Sequence, residues 1–345
     1  LMEEARLDYF LISDPQSIAY CTGYYNDPHE RMFVFMISKH GNHTLFMNDL
    51  FYLEHDLDVN IVWHKDGQDA IQTIVDEMHF PGRIGIDKNW ASHFLLDLMK
   101  KLPDAKYINA SPCVDLVRMK KDLQEQVLMI ESSKINDAVM EEIIPFIQEG
   151  VTEKQLAKKL DELFFNHHST CYGAIVAFGK NAADPHHEND DTPLRKGDCV
   201  LIDMGCVYKG YCSDMTRTFF YEGILEEEIK VYEIVKKANE AAEAMIKPGV
   251  KLSDIDKCAR KVISDEGYGK YFTHRLGHFI GRDVHEYGDV SSVNEMEVEE
   301  GMIFSIEPGI YLEGNFGVRV EYLVMVTKDG CQVLNSFTKD IYIIY

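Results

Sequence analysis

The 345-residue chain holds eight cysteines, at 21, 113, 171, 199, 206, 212, 258 and 331, yet no Cys-x-x-Cys pair. That scatter fits buried free thiols in a reducing compartment better than a disulfide framework or a zinc ribbon. Basic residues are scarce: 35 Lys and Arg stand against 58 Asp and Glu, a net charge of -23. Such a balance offers no general attraction for nucleic acid or an anionic membrane, so neither is expected as a partner. Long apolar text is missing too. No uncharged apolar run reaches about 18 residues, and no apolar core follows basic residues at the N-terminus, so a cytoplasmic protein is expected.

What is present is 46% hydrophobic residues over a length that commonly divides into two domains. Over residues 1–117, LDYFLI, RMFVFMIS, HTLFM, VNIVWH and RIGID read as strands and SHFLLDLMKKL as a helix, an α/β domain on a central sheet. A second domain is expected over 118–345. It opens with a long helix, KKDLQEQVLMIESSKINDAVMEEII, in which Leu123, Val127 and Ile130 recur at i, i+4 and i+7 as an apolar stripe. A weak internal repeat follows. EGVTEKQLAKKLDELFF from Glu149 and PGVKLSDIDKCARKVIS from Pro248 each place a Gly-Val turn between a long helix and a second one. Thr152 with Gln155 has a capping-box pattern, and Ser253 stands where an N-cap belongs, with Asp256 three residues on. Acid- and histidine-bearing β-rich text follows each copy, so two similar halves are expected to face one another across a shared site.

CVLIDMGCVYKGYCSDMTRTFF, from Cys199 to Phe220, reads as a hairpin. A two-residue loop at Tyr208-Lys209 sets Asp203 directly opposite Asp214. Carboxylates about 5 Å apart repel by roughly 3 kcal/mol at an effective dielectric of about 20. A shared proton or a bound cation relieves the strain. The other acids favour the cation, because Glu307 in FSIEPGIYL and Glu321 in GVRVEYLVMVT lie in apolar strand-like text where lone glutamates are uncommon. His278 lies in FTHRLGHFIGRDVHE with His274 and His285. His274 and His278 have the spacing of a helical zinc pair, but HRLGH lacks the glutamate of H-E-x-x-H, and Gly277 and Gly281 disfavour a helix. Each residue alone has an ordinary account: Asp214 caps a turn, Glu307 pairs with Arg319, His278 is a satisfied core histidine. The five together resist it. Four carboxylates and one imidazole form a hard, oxygen-rich set suited to manganese or another divalent first-row ion. Four negative charges are balanced by two such ions, which share a bridging water, acidify it and polarise a carbonyl, the chemistry of hydrolysis.

In order, DMG at Asp203, SDMTR at Asp214, HRLGHFIGRDVHE, EPGIY and GVRVE resemble the motifs of the pita-bread metallopeptidases, and among them the bacterial proline dipeptidases, or prolidases. The resemblance covers nearly the whole chain. SDPQSIAYCTGYYNDPHER is similar to their first domain and VRMKKDLQEQ to their interdomain junction. It implies an α/β (α+β) protein, with a small N-terminal α/β domain followed by a pita-bread domain with a pseudo-twofold repeat. It implies two divalent ions, manganese first with cobalt and zinc as alternatives, on Asp203, Asp214, His278, Glu307 and Glu321, of which Asp214 and Glu321 bridge.

The same resemblance makes Glu307 the catalytic proton shuttle, His186, His274 and His285 substrate-side histidines, the latter two also catalytic, and Arg319 the residue that orients the site. An amide to proline lacks an N–H, so donors must act on its carbonyl, and imidazole N–H groups serve. His167, His168 and His187 are read as solvated loop. The implied activity is cleavage of Xaa-Pro dipeptides by a homodimer, with the Asp27–Arg31 loop (DPHER) approaching the partner's site and limiting substrates to dipeptides. Departures bear on pocket shape: Phe279 replaces a usual glycine, Tyr287-Gly288 an aromatic-proline pair, and Tyr322 a usual acid. An Xaa-Pro aminopeptidase acting on longer peptides is the nearest alternative. A catalytically silent pita-bread binding protein is the alternative from another class, and it is expected to have lost ligands.

Overall fold

The computed structural model describes residues 1–79 and 81–345, which form two compact units, Leu1–Arg118 and Met119–Tyr345. In the first unit the expected apolar runs become β1 (Tyr9–Ile12), β2 (Val34–Ser38), β3 (Thr44–Asn48), β4 (Asn60–His64) and β5 (Arg83–Ile86), joined by β6 (Lys106–Asn109). They make one mixed sheet in the order β4-β3-β2-β1-β5-β6. Tyr9 and Leu11 of β1 enter one apolar cluster with Val34, Phe46 and Ile84. Phe10 and Ile12 enter another with Phe35, Leu45 and Met47. Burial on both faces is why the inner strands β1, β2 and β3 read as unbroken apolar text, whereas the edge strands β4 and β6 are largely exposed or half-buried. Four helices accompany them: α1 (Pro15–Thr22), α2 (Ala70–Asp76), α3 (Ser92–Lys101) and α4 (Pro112–Met119). In the Asp27–Arg31 loop, Arg31 Nε and NH2 donate to Asp66 at 3.0 and 2.8 Å.

The second unit opens with α5 (Leu123–Ile143), capped by a reciprocal Asp122–Glu125 box. Its buried face corrects the expected one. Leu123 and Val127 are exposed, whereas Glu125, Met129, Ser132, Asn136 and Met140 are buried. The reason is the surface beneath. Asn136 Nδ2 donates to Met204 O at 3.0 Å and Ser132 Oγ to Tyr211 O at 3.2 Å, so this helix lies on strand carbonyls and needs small donors there. Next come α6 (Glu153–Asn166), β7 (Thr170–Cys171), β8 (Ile175–Phe178), β9 (Cys199–Met204), β10 (Cys206–Tyr208), β11 (Tyr211–Cys212) and β12 (Met215–Tyr221).

The rest repeats that plan with α7 (Glu226–Met245), α8 (Leu252–Asp265), β13 (Gly277–His278), β14 (Asp289–Val290), β15 (Ile303–Ile306), β16 (Gly309–Leu312), β17 (Phe316–Arg319), β18 (Tyr322–Val326) and β19 (Cys331–Val333). A last strand, β20 (Ile343–Ile344), runs parallel to β12.

The repeat is visible in the backbone. Gly150 N donates to Leu194 O and Gly249 N to Val298 O, both at 2.9 Å. Isolated bridges join Thr152 to Pro193 and Lys251 to Glu297. Asn136 of α5 caps the carbonyl of Met204 at the end of β9, and Asn239 of α7 caps that of Ile306 at the end of β15. One expected likeness fails. The Thr152–Gln155 box is formed, but the second copy has Lys251 at the cap with no side-chain capping bond, and Ser253 Oγ donates instead to Glu295 at 3.0 Å.

Candidate metal centre

The hairpin turns at Lys209-Gly210, with φ of 48° and 83°, a type I′ turn one residue beyond the expected one. That step moves the whole ladder by two: Asp203 lies opposite Thr216 and Met204 opposite Met215. Asp214 therefore sits diagonal to Asp203 across the strands, where long side chains still meet. On the other half, Gly277 packs so tightly on β15 that a Cβ there would lie 1.9 Å from Ser305 O. The same closeness lets His278 N donate to Ser305 Oγ at 2.9 Å. Ser305 Oγ donates in turn to Glu307 Oε1 at 3.0 Å.

His278 Nδ1 lies 3.2 Å from Phe279 O, which leaves Nε2 facing Asp214 Oδ2 at 3.5 Å and Glu307 Oε1 at 3.6 Å. Asp214, His278 and Glu321 are all buried and bring one ligand atom each within 4.8 Å of the others. Arg319 lies among them. Its NH2 donates to Asp203 Oδ2 at 2.6 Å, Nε to Thr216 Oγ1 at 3.0 Å and NH1 to Tyr311 OH at 2.9 Å. Thr216 Oγ1 donates to Glu321 Oε2 at 2.6 Å. The ordinary reading of Glu307 as the partner of Arg319 thus fails, because that fork is spent on Asp203, Thr216 and Tyr311.

Asp203, Asp214, His278, Glu307, Glu321, His186, His274, His285 and Arg319 line one cavity of about 670 Å³, with Tyr172, Ile175, Arg275 and Val284 on its walls. Burial, then Asp214, Glu307 and Asp203, hold the Glu321 carboxyl well above its ordinary range. Burial lifts Glu307 to about 7 against the pull of His278 and Arg319. Burial raises Asp214 as well, against its bond to His278. For His278 burial works downward, but Asp214 and Glu307 win and raise it. Burial holds His274 and His285 at about 4, aided by Arg319 for the first and His278 for the second. The cluster is overloaded with negative charge in a dry place, and its hard donors fit divalent cations.

The histidines divide. His274 Nδ1 lies 2.7 Å from Arg275 O and its Nε2 2.9 Å from Tyr311 OH, so both nitrogens are engaged inside the protein. The His285 ring packs on His278 with centroids 4.2 Å apart. His187 corrects its reading as solvated loop, because its Nε2 is 2.6 Å from Oε2 of the buried Glu153. The unusual residues at 279 and 322 do not line the cavity: Phe279 packs on Phe304, and the Tyr322 ring lies under Arg217. Sequence reading missed Tyr172, Thr216 and Tyr311. The latter two lie inside motifs it used, whereas Tyr172, whose hydroxyl donates to Ser213 O at 2.8 Å, has no local signal.

Comparison with known proteins adds to this geometry. The family described as metallopeptidase family M24 matches residues 127–328, and the creatinase/prolidase N-terminal domain matches residues 1–120. An uncharacterised peptidase of Staphylococcus aureus is 35% identical over 337 residues, covering 95% of this chain and 94% of its own. A dipeptidase from Pyrococcus horikoshii superposes with a TM-score of 0.92 at 34% identity, covering 99% and 98% of the two chains. An Xaa-Pro dipeptidase from Bacillus anthracis gives 0.92 at 28%, covering 99% and 96%. An X-Pro aminopeptidase from Thermotoga maritima gives 0.86 at 29%, covering 99% of each.

Proposed function

The chain belongs to metallopeptidase family M24, and from that premise we propose that it cleaves Xaa-Pro dipeptides with two divalent ions, most simply manganese, on Asp203, Asp214, His278, Glu307 and Glu321. One observation carries the reading: four carboxylates and an imidazole, drawn from both halves of the repeat, converge on one cavity. Three of the acids are held above their ordinary range. Bound divalent ions would supply an acidified water and Lewis-acid polarisation of the scissile carbonyl.

The chain's own groups do the rest. Glu307, steadied by Ser305 and not hydrogen-bonded to the Arg319 fork, takes a proton from the attacking water and passes it to the proline nitrogen. Among the described residues neither His186 nor His285 makes a ring hydrogen bond, and both face the cavity. His285, neutral at pH 7, offers one N–H to substrate oxygen, as does His186 in its neutral form. His274 acts through Tyr311, keeping the Arg319 fork aimed at Asp203.

The names of the Pyrococcus and Bacillus proteins support a dipeptidase. The Thermotoga likeness keeps an Xaa-Pro aminopeptidase as the second reading. A silent binding protein, expected to have lost ligands, is disfavoured because all five proposed donors line the cavity. A homodimer and a cytoplasmic location belong to the same proposal; among the described residues no helix is long and apolar enough to cross a membrane.

The test is metal content by mass spectrometry, beside hydrolysis of Xaa-Pro, Xaa-Pro-Xaa and longer peptides before and after chelation. Two ions per chain and cleavage confined to dipeptides are expected. Equal cleavage of longer peptides selects the aminopeptidase, and a metal-loaded chain inactive on all of them sinks the proposal.

A further inference from the structure

Glu153 is the first residue of α6, is fully buried, and belongs to none of the ligand or substrate motifs above. Its carboxylate is saturated. Oε1 accepts from Phe178 N and Asn181 Nδ2, each at 2.9 Å. Oε2 accepts from His187 Nε2 at 2.6 Å and Asp190 N at 3.0 Å. These four donors lie along one loop, from the end of β8 to Asp190, and between Asn181 and His187 that loop presents Pro185 and His186 to the cavity. Glu153, His187 and Asp190 also have the spacing of a cation site. With two donors on each oxygen, however, Glu153 keeps no lone pair for an ion, and the cluster reads as a clamp.

Among the four donors only the imidazole of His187 can carry charge, and a buried carboxylate is costly unless charge-assisted bonds compensate it. The position of Glu153 at the N-terminus of α6 helps in the same sense. The far end of the loop is fixed separately: Val176 N donates to Asn189 Oδ1 at 2.7 Å and Asn189 Nδ2 to Ala174 O at 2.8 Å. Between these anchors, residues 184–188 are held from outside by His187 and by a long contact of 3.5 Å from Arg319 NH1 to Pro185 O.

We propose that Glu153 and His187 are a positioning pair that holds the 184–188 segment against the cavity, fixing where His186 meets the substrate. The part given to His186 rests on the function proposed above. The pair touches no metal ligand, so it acts on substrate binding and leaves ion binding alone.

Four variants of the manganese-loaded full chain test this: His187→Ala, His187→Gln, His186→Ala and the His186→Ala/His187→Ala double. His187→Ala is expected to raise KM for an Xaa-Pro dipeptide about tenfold while kcat stays within about twofold, since misplacing a binding group by an ångström is costly. His187→Gln, which keeps an amide donor for Glu153, restores KM. The double variant is no worse than His186→Ala alone, because the pair acts through that ring. Metal content is the same in all. Amide exchange at 184–188 accelerates in His187→Ala and recovers in His187→Gln. An unchanged KM and exchange in His187→Ala, a fall in kcat at constant KM, or additive single effects overturns the proposal. If the parent protein cleaves no Xaa-Pro peptide, the functional reading fails by itself, and the exchange measurement alone decides whether the clamp exists.

Discussion

At the scale of single residues, Arg217 shows how the centre is braced from behind. It is almost wholly buried. Its Nε donates to Thr338 O at 2.8 Å, NH1 to Thr216 O and Glu321 O at 2.8 Å each, and NH2 to Phe337 O at 2.7 Å. The fork thus ties the backbone of a proposed ligand, Glu321, to that of Thr216, whose hydroxyl serves the same glutamate. Arg217→Met removes four hydrogen bonds from this buried fork, leaving Glu321 O and Thr338 O without their donor while Thr216 O keeps Glu321 N and Phe337 O keeps Tyr322 OH, and is expected to cost about 3–5 kcal/mol by urea denaturation; a loss below about 1 kcal/mol contradicts the bracing role. His274 supplies a pH signature. Burial and then Arg319 hold it at about 4, against an ordinary 6.5. Between those values the unfolded chain binds more protons than the folded one. Stability therefore rises with pH across that window, is complete above it, and is lost as pH falls to about 4. The gap corresponds to about 3 kcal/mol. His274→Gln should lose about that much less than the parent chain between pH 6.5 and pH 4, measured by denaturant midpoints. His285, depressed for similar reasons, keeps part of the acid sensitivity in both.

At the scale of elements, close approach decides what the strands can present. Gly277 has no room for a side chain because the obstacle is the backbone oxygen of Ser305, which cannot swing aside. Gly277→Ala should force β13 off β15, cost about 2–4 kcal/mol, and weaken metal binding at least about tenfold through the shift of His278. The first is read by urea denaturation and the second by titrating manganese into the variant, and parental affinity would show that β13 is not what places His278. This level also marks how far the sequence was legible. That the five proposed donors share one cavity was readable because each lies in a short motif with its own turn and strand. The pairing of Asp203 was not, since a shift of one residue in the turn, from Tyr208-Lys209 to Lys209-Gly210, moves the register by two. The stripe on α5 misled for a different reason: periodicity reports hydrophobicity, whereas this helix is fastened by Ser132 and Asn136 to strand carbonyls that no pattern reveals. The Glu153–His187 contact joins residues 34 apart in sequence, and neither residue signals the other locally.

At the scale of the whole molecule, the repeat and the charge meet in the same place. Asp203 and Asp214 come from β9 and the approach to β12 in one half, while His278, Glu307 and Glu321 come from the other. Any divalent ions they share are cross-links between halves that otherwise present opposed carboxylates to one another in a protein of net charge -23. Ions that bind only the folded chain stabilise it by mass action, about 2.7 kcal/mol at a hundredfold excess over Kd. The gain should not be uniform. Manganese added to chelated protein is expected to slow amide exchange in β9 and β12 and equally in β15 and β18, because a bond across the repeat restrains both sides of it. The six-stranded sheet of residues 9–109 supplies none of the proposed ligands, so its exchange should stay as it was. Asp214→Asn, which removes a donor of the first half, should abolish the protection in the second half too. Protection confined to one half would mean that the donors do not share their ions, and the pseudo-twofold centre would then be two separate sites.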